Sequence, residues 1–62
     1  MPLVQITMLS GRTVDQKRKL AQRITEVMVE EAGAKREAVV VIFQEVPKES
    51  YASGGVLMAD KK

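Results

Sequence analysis

The chain contains no cysteine, no histidine and no tryptophan. Without cysteine there are no disulfides, and without cysteine or histidine the usual ligands of zinc and haem are missing. Zinc or haem held by those ligands is therefore not expected. Aromatic residues are reduced to Phe43 and Tyr51, so the apolar surface is mostly aliphatic and flat. No run of about 18 apolar residues occurs, which argues against a transmembrane span. The first residues lack the basic stretch and apolar core of a signal peptide. The absence of cysteine fits a reducing cytoplasm, the expected location. Neither sign of charge dominates, with ten Lys and Arg against eight Asp and Glu. Lys17, Arg18, Lys19 and Arg23 form a basic stretch, but Glu26, Glu30 and Glu31 follow on the same segment with no aromatics interleaved. No nucleic-acid or membrane partner is expected from that pattern.

Sixty-two residues amount to one domain, spanning 1–62. A chain this short buries only about 60% of its unfolded surface and is marginal alone. Small folds compensate with disulfides, metals or oligomerisation. Here oligomerisation is the remaining route.

Apolar periodicity divides the chain into a strand, a helix and a second strand. The first strand is expected over Pro2 to Leu9. Val4, Ile6 and Met8 make one face fully apolar, while Leu3, Gln5, Thr7 and Leu9 make the other mixed. Ser10-Gly11 breaks it. Thr13-Val14-Asp15-Gln16 reads as a capping box, opening a helix from Val14 to about Ala32. Its apolar positions are Val14, Leu20, Ala21, Ile24, Val27, Met28 and Ala32, and Gly33 ends it. The second strand is expected over Ala38 to Val46. Its β-branched and aromatic centre, Val39 to Phe43, does not alternate and predicts a strand covered on both faces. These elements form a β-α-β unit with a right-handed crossover and parallel strands. One helix cannot cover both sheet faces, so another chain is needed. In the tail, Ser53-Gly54-Gly55 signals a turn and Val56 to Ala59 a short strand or docking arm.

One residue stands out chemically. Pro2 follows the initiator methionine and precedes a strand. Removal of Met1 leaves a secondary amine, fixed by its ring and anchored by the strand. Burial lowers the pKa of such an amine, so it can be neutral and act as a base near pH 7. The plainer reading is that Pro2 opens an edge strand, where proline is tolerated.

The order of proline after methionine, strand, Gly11-Arg12-Thr13, capped helix, apolar strand, Tyr51 and Gly54-Gly55 resembles the 4-oxalocrotonate tautomerase family over nearly the whole chain. The junction from Leu9 to Lys17 carries most of that resemblance. It implies an α/β (α+β) protomer, a β-α-β unit with a short C-terminal strand or hairpin, assembled into a hexamer. It implies that Pro2, freed of Met1, is the general base of a tautomerase. The substrate implied is a small 2-hydroxy or 2-oxo dicarboxylate such as 2-hydroxymuconate, ketonised to a conjugated 2-oxo acid without cofactor. Arg12 matches the arginine that binds the carboxylate, and its planar fork suits that task. Tyr51 occupies the place of an aromatic that walls the pocket. Leu9, Arg12 and Tyr51 make up the expected substrate-binding set, with Pro2 and Arg12 catalytic.

The chain departs from the family pattern at Val40, where many such enzymes carry a second arginine. Arg36 lies four residues earlier, where a surface role near the helix end is the plainer reading. Three consequences stay open: turnover with Arg12, Pro2 and backbone donors alone, a different substrate, or an unlike partner subunit that supplies the missing arginine. The hydratase and dehalogenase branch uses an arginine and a glutamate at positions that here are Leu9 and Ser53, so tautomerisation ranks above those reactions. The assembly is accordingly a homohexamer or a heterohexamer with a related subunit. The competing reading is a partner subunit with reduced or no chemistry of its own, and a further one is a ferredoxin-like small-molecule-binding module.

Overall fold

The computed structural model describes residues 2–61. The expected loss of Met1 and the charged end at Lys62 lie outside the described residues. The chain runs β1 (Leu3–Leu9), α1 (Val14–Ala32), β2 (Val40–Val46), β3 (Ala52–Ser53) and β4 (Val56–Leu57), with single 3₁₀ turns at Arg36–Ala38, Lys48–Ser50 and Met58–Asp60. β1 and β2 pair in parallel, from Leu3 opposite Val40 to Leu9 opposite Val46. This is the expected β-α-β unit. No helix among the described residues is long and apolar enough to cross a membrane.

The helix starts as its sequence dictates. The Gln16 N–H donates to Thr13 Oγ1 at 3.1 Å, and the Thr13 N–H donates to Gln16 Oε1 at 3.0 Å. Two of the four unpaired amides at a helix start are thereby satisfied. Gly33 closes the helix at φ 69°, a left-handed conformation that a side chain disfavours. Thr13→Ala removes the acceptor for Gln16 and should lower stability by about 1 kcal/mol. An unchanged thermal midpoint for that variant would mean that tertiary contacts, not the cap, hold the helix entry.

Two expectations shift at their boundaries. The first strand begins at Leu3, with Pro2 contributing only its carbonyl to the ladder. The second begins at Val40 rather than Ala38. Arg36–Ala38 forms a 3₁₀ turn in which the Ala38 N–H donates to the Lys35 carbonyl at 2.9 Å and the Val39 N–H to the Arg36 carbonyl at 3.3 Å. Those amides are used locally, so the first free to join the sheet is that of Val40.

The helix stripe also differs from the expected one. Ala21, Ile24 and Met28 are half-buried, as the periodicity requires, and Lys17, Thr25, Glu26 and Val29 join them. Val14, Leu20 and Val27 remain exposed, at 65%, 37% and 54%, as does Ala32. The stripe spreads beyond the width that a two-stranded sheet can cover.

The tail forms a hairpin. Ala52 pairs with Leu57 and Ser53 with Val56. Gly54 and Gly55 both have positive φ, 61° and 81°, the combination demanded by a two-residue turn that matches strand twist. The Met58 N–H returns to the Tyr51 carbonyl at 2.7 Å. The hairpin packs chiefly on its own 3₁₀ turns rather than on the β-α-β body. The radius of gyration is 14.9 Å, against about 11 Å for a compact domain of this length. The tail is an arm. Among the described residues none is fully buried.

Candidate active site

β1 carries the candidate residues at its two ends. At the N-terminal end, Pro2 is half-buried, and its carbonyl accepts the Val40 N–H at 3.0 Å. That bond ties the first residue of the site to the first residue of β2. The position beside it is apolar, because Val40 lies in register with Leu3. Arg36 approaches this end along the chain but is engaged elsewhere: its guanidinium pairs with Glu26 of α1 at 2.6 Å, both side chains about half exposed. The pair is an exposed contact between helix and turn.

The other end carries the cation. Leu9 is the last residue of β1 and is half-buried, and the Ser10 N–H closes the ladder on the Val46 carbonyl at 3.0 Å. Gly11, at φ 129°, turns the chain toward the helix. Arg12 follows in that loop, exposed and outside the three ion pairs found among the described residues. Its donors are therefore available to an anion. Tyr51 emerges after the 3₁₀ turn that follows β2, beyond the same end of the sheet. Its side chain is 43% exposed.

The candidate residues thus fall into two groups. Leu9 and Arg12 lie at the C-terminal end of the parallel pair, with Tyr51 in the arm beyond it, while Pro2 lies at the opposite end. At the rise of an extended chain, β1 separates Pro2 from Arg12 by roughly 20 Å. A guanidinium cannot span that distance. Within one chain the expected base and the expected carboxylate binder do not meet. A single chain also has no pocket among its described residues. No three of its described acidic residues gather into a metal-binding group.

One contact near the cation end is absent from the sequence-based expectations. Lys17 and Glu45 form an ion pair between the first turns of α1 and the end of β2, with side chains 26% and 31% exposed. Glu45 shares its sheet face with Val41 and Phe43, the face that α1 covers. Glu45 is solvent-accessible, so the pair is a partly exposed one of modest worth. A carboxylate two residues after the apolar run of β2 was the available signal. The pair links the start of α1, which follows the loop carrying Arg12, to the end of β2.

A family model described as tautomerase enzyme matches residues 2–61. A probable tautomerase of Bacillus cereus is 44% identical over 61 residues, covering 98% of this chain and all of that protein. A 2-hydroxymuconate tautomerase of Bacillus subtilis is 43% identical over 60 residues, covering 97% of each. Among solved structures, a 4-oxalocrotonate tautomerase homologue superposes with a TM-score of 0.94 at 40% identity, covering 100% of this chain and 98% of that one. A heterohexamer 4-oxalocrotonate tautomerase from Chloroflexus aurantiacus superposes with a TM-score of 0.90 at 35% identity, covering both chains fully.

Proposed function

This chain belongs to the tautomerase family of isomerases, and from that premise we propose that it ketonises a 2-hydroxydienoate such as 2-hydroxymuconate at a site built from two chains. The Pro2 amine, freed of Met1, takes the proton of the 2-hydroxyl group. The C2–O bond becomes a carbonyl, and the C2–C3 double bond moves to C3–C4. The C4–C5 electrons then accept the proton back from the pyrrolidinium at C5. No atom is gained or lost, and the product is a conjugated 2-oxo acid. Arg12 of a neighbouring chain binds the carboxylate distal to the hydroxyl and draws electron density toward C5. Leu9 and Tyr51 form walls that exclude water and favour the neutral amine.

The observation that carries the shared site is the separation of Pro2 and Arg12 along β1. An antiparallel arrangement of two protomers lays the N-terminal end of one strand against the C-terminal end of the other, which brings one chain's amine to the other's guanidinium. The assembly that fits this reading is a hexamer, of identical or of related chains. The test follows the loss of the 2-hydroxymuconate absorbance with protein whose mass establishes a free Pro2. No acceleration over buffer, alone or with a co-encoded related chain, would sink the proposal.

A second reading has its own observation. Val40 puts an aliphatic side chain in the ladder where the Pro2 carbonyl is held, and it can neither donate a hydrogen bond nor stabilise an enolate oxygen. A chain so equipped suits a partner subunit with reduced chemistry in a mixed assembly. Turnover by the chain alone that an added related chain does not raise excludes it.

A further inference from the structure

The proposed reaction leaves one charge unanswered. A 2-hydroxydienoate with two carboxylates brings two negative charges, and Arg12 binds only the distal one. The other carboxylate adjoins the 2-hydroxyl group and therefore lies beside the Pro2 amine. An anion left alone there favours the protonated amine, which cannot act as a base. The N-terminal end of the parallel pair needs a cation, and Leu3 and Val40, the residues in register at that end, supply none.

The turn that leads into β2 carries two positive charges, Lys35 and Arg36. Arg36 is joined to the amine's own residue by backbone. The Val39 N–H donates to the Arg36 carbonyl at 3.3 Å, and the next amide, that of Val40, donates to the Pro2 carbonyl at 3.0 Å. Two hydrogen bonds and one peptide link thus separate Arg36 from Pro2, whereas the whole length of β1 separates Pro2 from Arg12. The Arg36 guanidinium rests on Glu26 of α1 at 2.6 Å, and both side chains are open to water. Such an exposed pair contributes little to stability, so another carboxylate can displace Glu26. A substrate carboxylate enclosed between chains has the advantage, because a charge-assisted, two-pronged contact strengthens as water leaves. Lys35 has no planar fork to offer.

We propose that Arg36 releases Glu26 and binds the substrate carboxylate adjoining the 2-hydroxyl group, beside the Pro2 amine of its own chain, so that Glu26 competes with substrate for one guanidinium. The proposal rests on the ketonisation reading and adds to it the residue that holds the second carboxylate.

The two halves of the ion pair should respond in opposite directions. Arg36→Ala should lower kcat/KM for 2-hydroxymuconate about tenfold or more, chiefly through KM, because it removes the binding group. Glu26→Gln removes the competitor and should lower KM about twofold or more, the scale of an exposed pair. A purely structural ion pair predicts equal losses from both variants, since either one breaks it. Lys35→Ala controls for diffuse charge and should leave kcat/KM unchanged. 2-Hydroxy-2,4-pentadienoate keeps the carboxylate beside the hydroxyl and lacks the distal one. Arg36→Ala should cost as much with that substrate as with 2-hydroxymuconate, whereas the cost of Arg12→Ala should shrink. Three results would overturn the proposal: wild-type kinetics for Arg36→Ala, equal losses in Arg36→Ala and Glu26→Gln, or a loss in Lys35→Ala that matches Arg36→Ala. Should Arg36→Ala not assemble by sedimentation, the direction of the Glu26→Gln change still decides. Calorimetry with 2-oxoadipate, a saturated 2-oxo dicarboxylate with no diene to ketonise, separates this proposal from the chemistry it rests on. Tight binding that Arg36→Ala weakens, in a protein that does not ketonise, rejects the chemistry and keeps the carboxylate site. Ketonisation undiminished in Arg36→Ala rejects the carboxylate site alone, and neither binding nor ketonisation rejects both.

Discussion

Pro2→Ala should lower kcat/KM for 2-hydroxymuconate by about 10²–10⁴-fold, the usual contribution of a positioned general base. The substitution is mild structurally. The carbonyl of residue 2, which accepts the Val40 N–H at 3.0 Å, is present in alanine as well, so β1 stays anchored. What changes is the amine, which becomes primary and free to rotate about its bond to Cα. It no longer presents one lone pair in one direction. Absorbance assays on protein of verified mass measure the loss, and sedimentation checks that assembly is retained. A loss of less than tenfold with assembly intact would mean that the amine is not the base.

Mixing two inactive variants should restore activity. Arg12→Ala alone is expected to lose about 10²–10³-fold, the scale for removing a group that stabilises developing charge. Pro2→Ala is inactive for a different reason. If one chain supplies the amine and another the guanidinium, co-refolding the two variants in equal amounts regenerates about a quarter of the sites in a symmetric pairing. Each restored site takes Pro2 from the Arg12→Ala chain and Arg12 from the Pro2→Ala chain. A site contained within one chain predicts no recovery at all. The experiment therefore reads the roughly 20 Å that β1 puts between the two residues as a rise in activity from near nothing, and a mixture as inactive as its parts would reject the shared site.

Local signals made most of the fold legible. The capping box at Thr13 and Gln16, the left-handed stop at Gly33 and the paired glycines of the hairpin act within four residues of one another, where chain chemistry decides geometry. The start of β2 was less legible, because Val39 suits a strand by residue type while the Ala38 and Val39 amides bond back to Lys35 and Arg36. Val14, Leu20 and Val27 were misleading for another reason. Periodicity reports that a helix face is apolar, not which neighbour covers it, and in one chain those side chains stay exposed. The site has the same division. The roles expected of Pro2, Arg12, Leu9 and Tyr51 lean on a family resemblance, sequence spacing carries no distance between chains, and the sheet sets the expected base and the expected anion binder at opposite ends.

The lack of any fully buried residue among those described reaches beyond structure. A chain that closes its hydrophobic surface only against other chains draws its folding free energy from mass action, so its stability belongs to its concentration as much as to its sequence. Subunits in excess of their partners are then the ones that open, and opened chains are what proteases cut. On the proposed assembly, the thermal midpoint should rise with protein concentration, and a midpoint independent of concentration would mean that the chain is stable without partners.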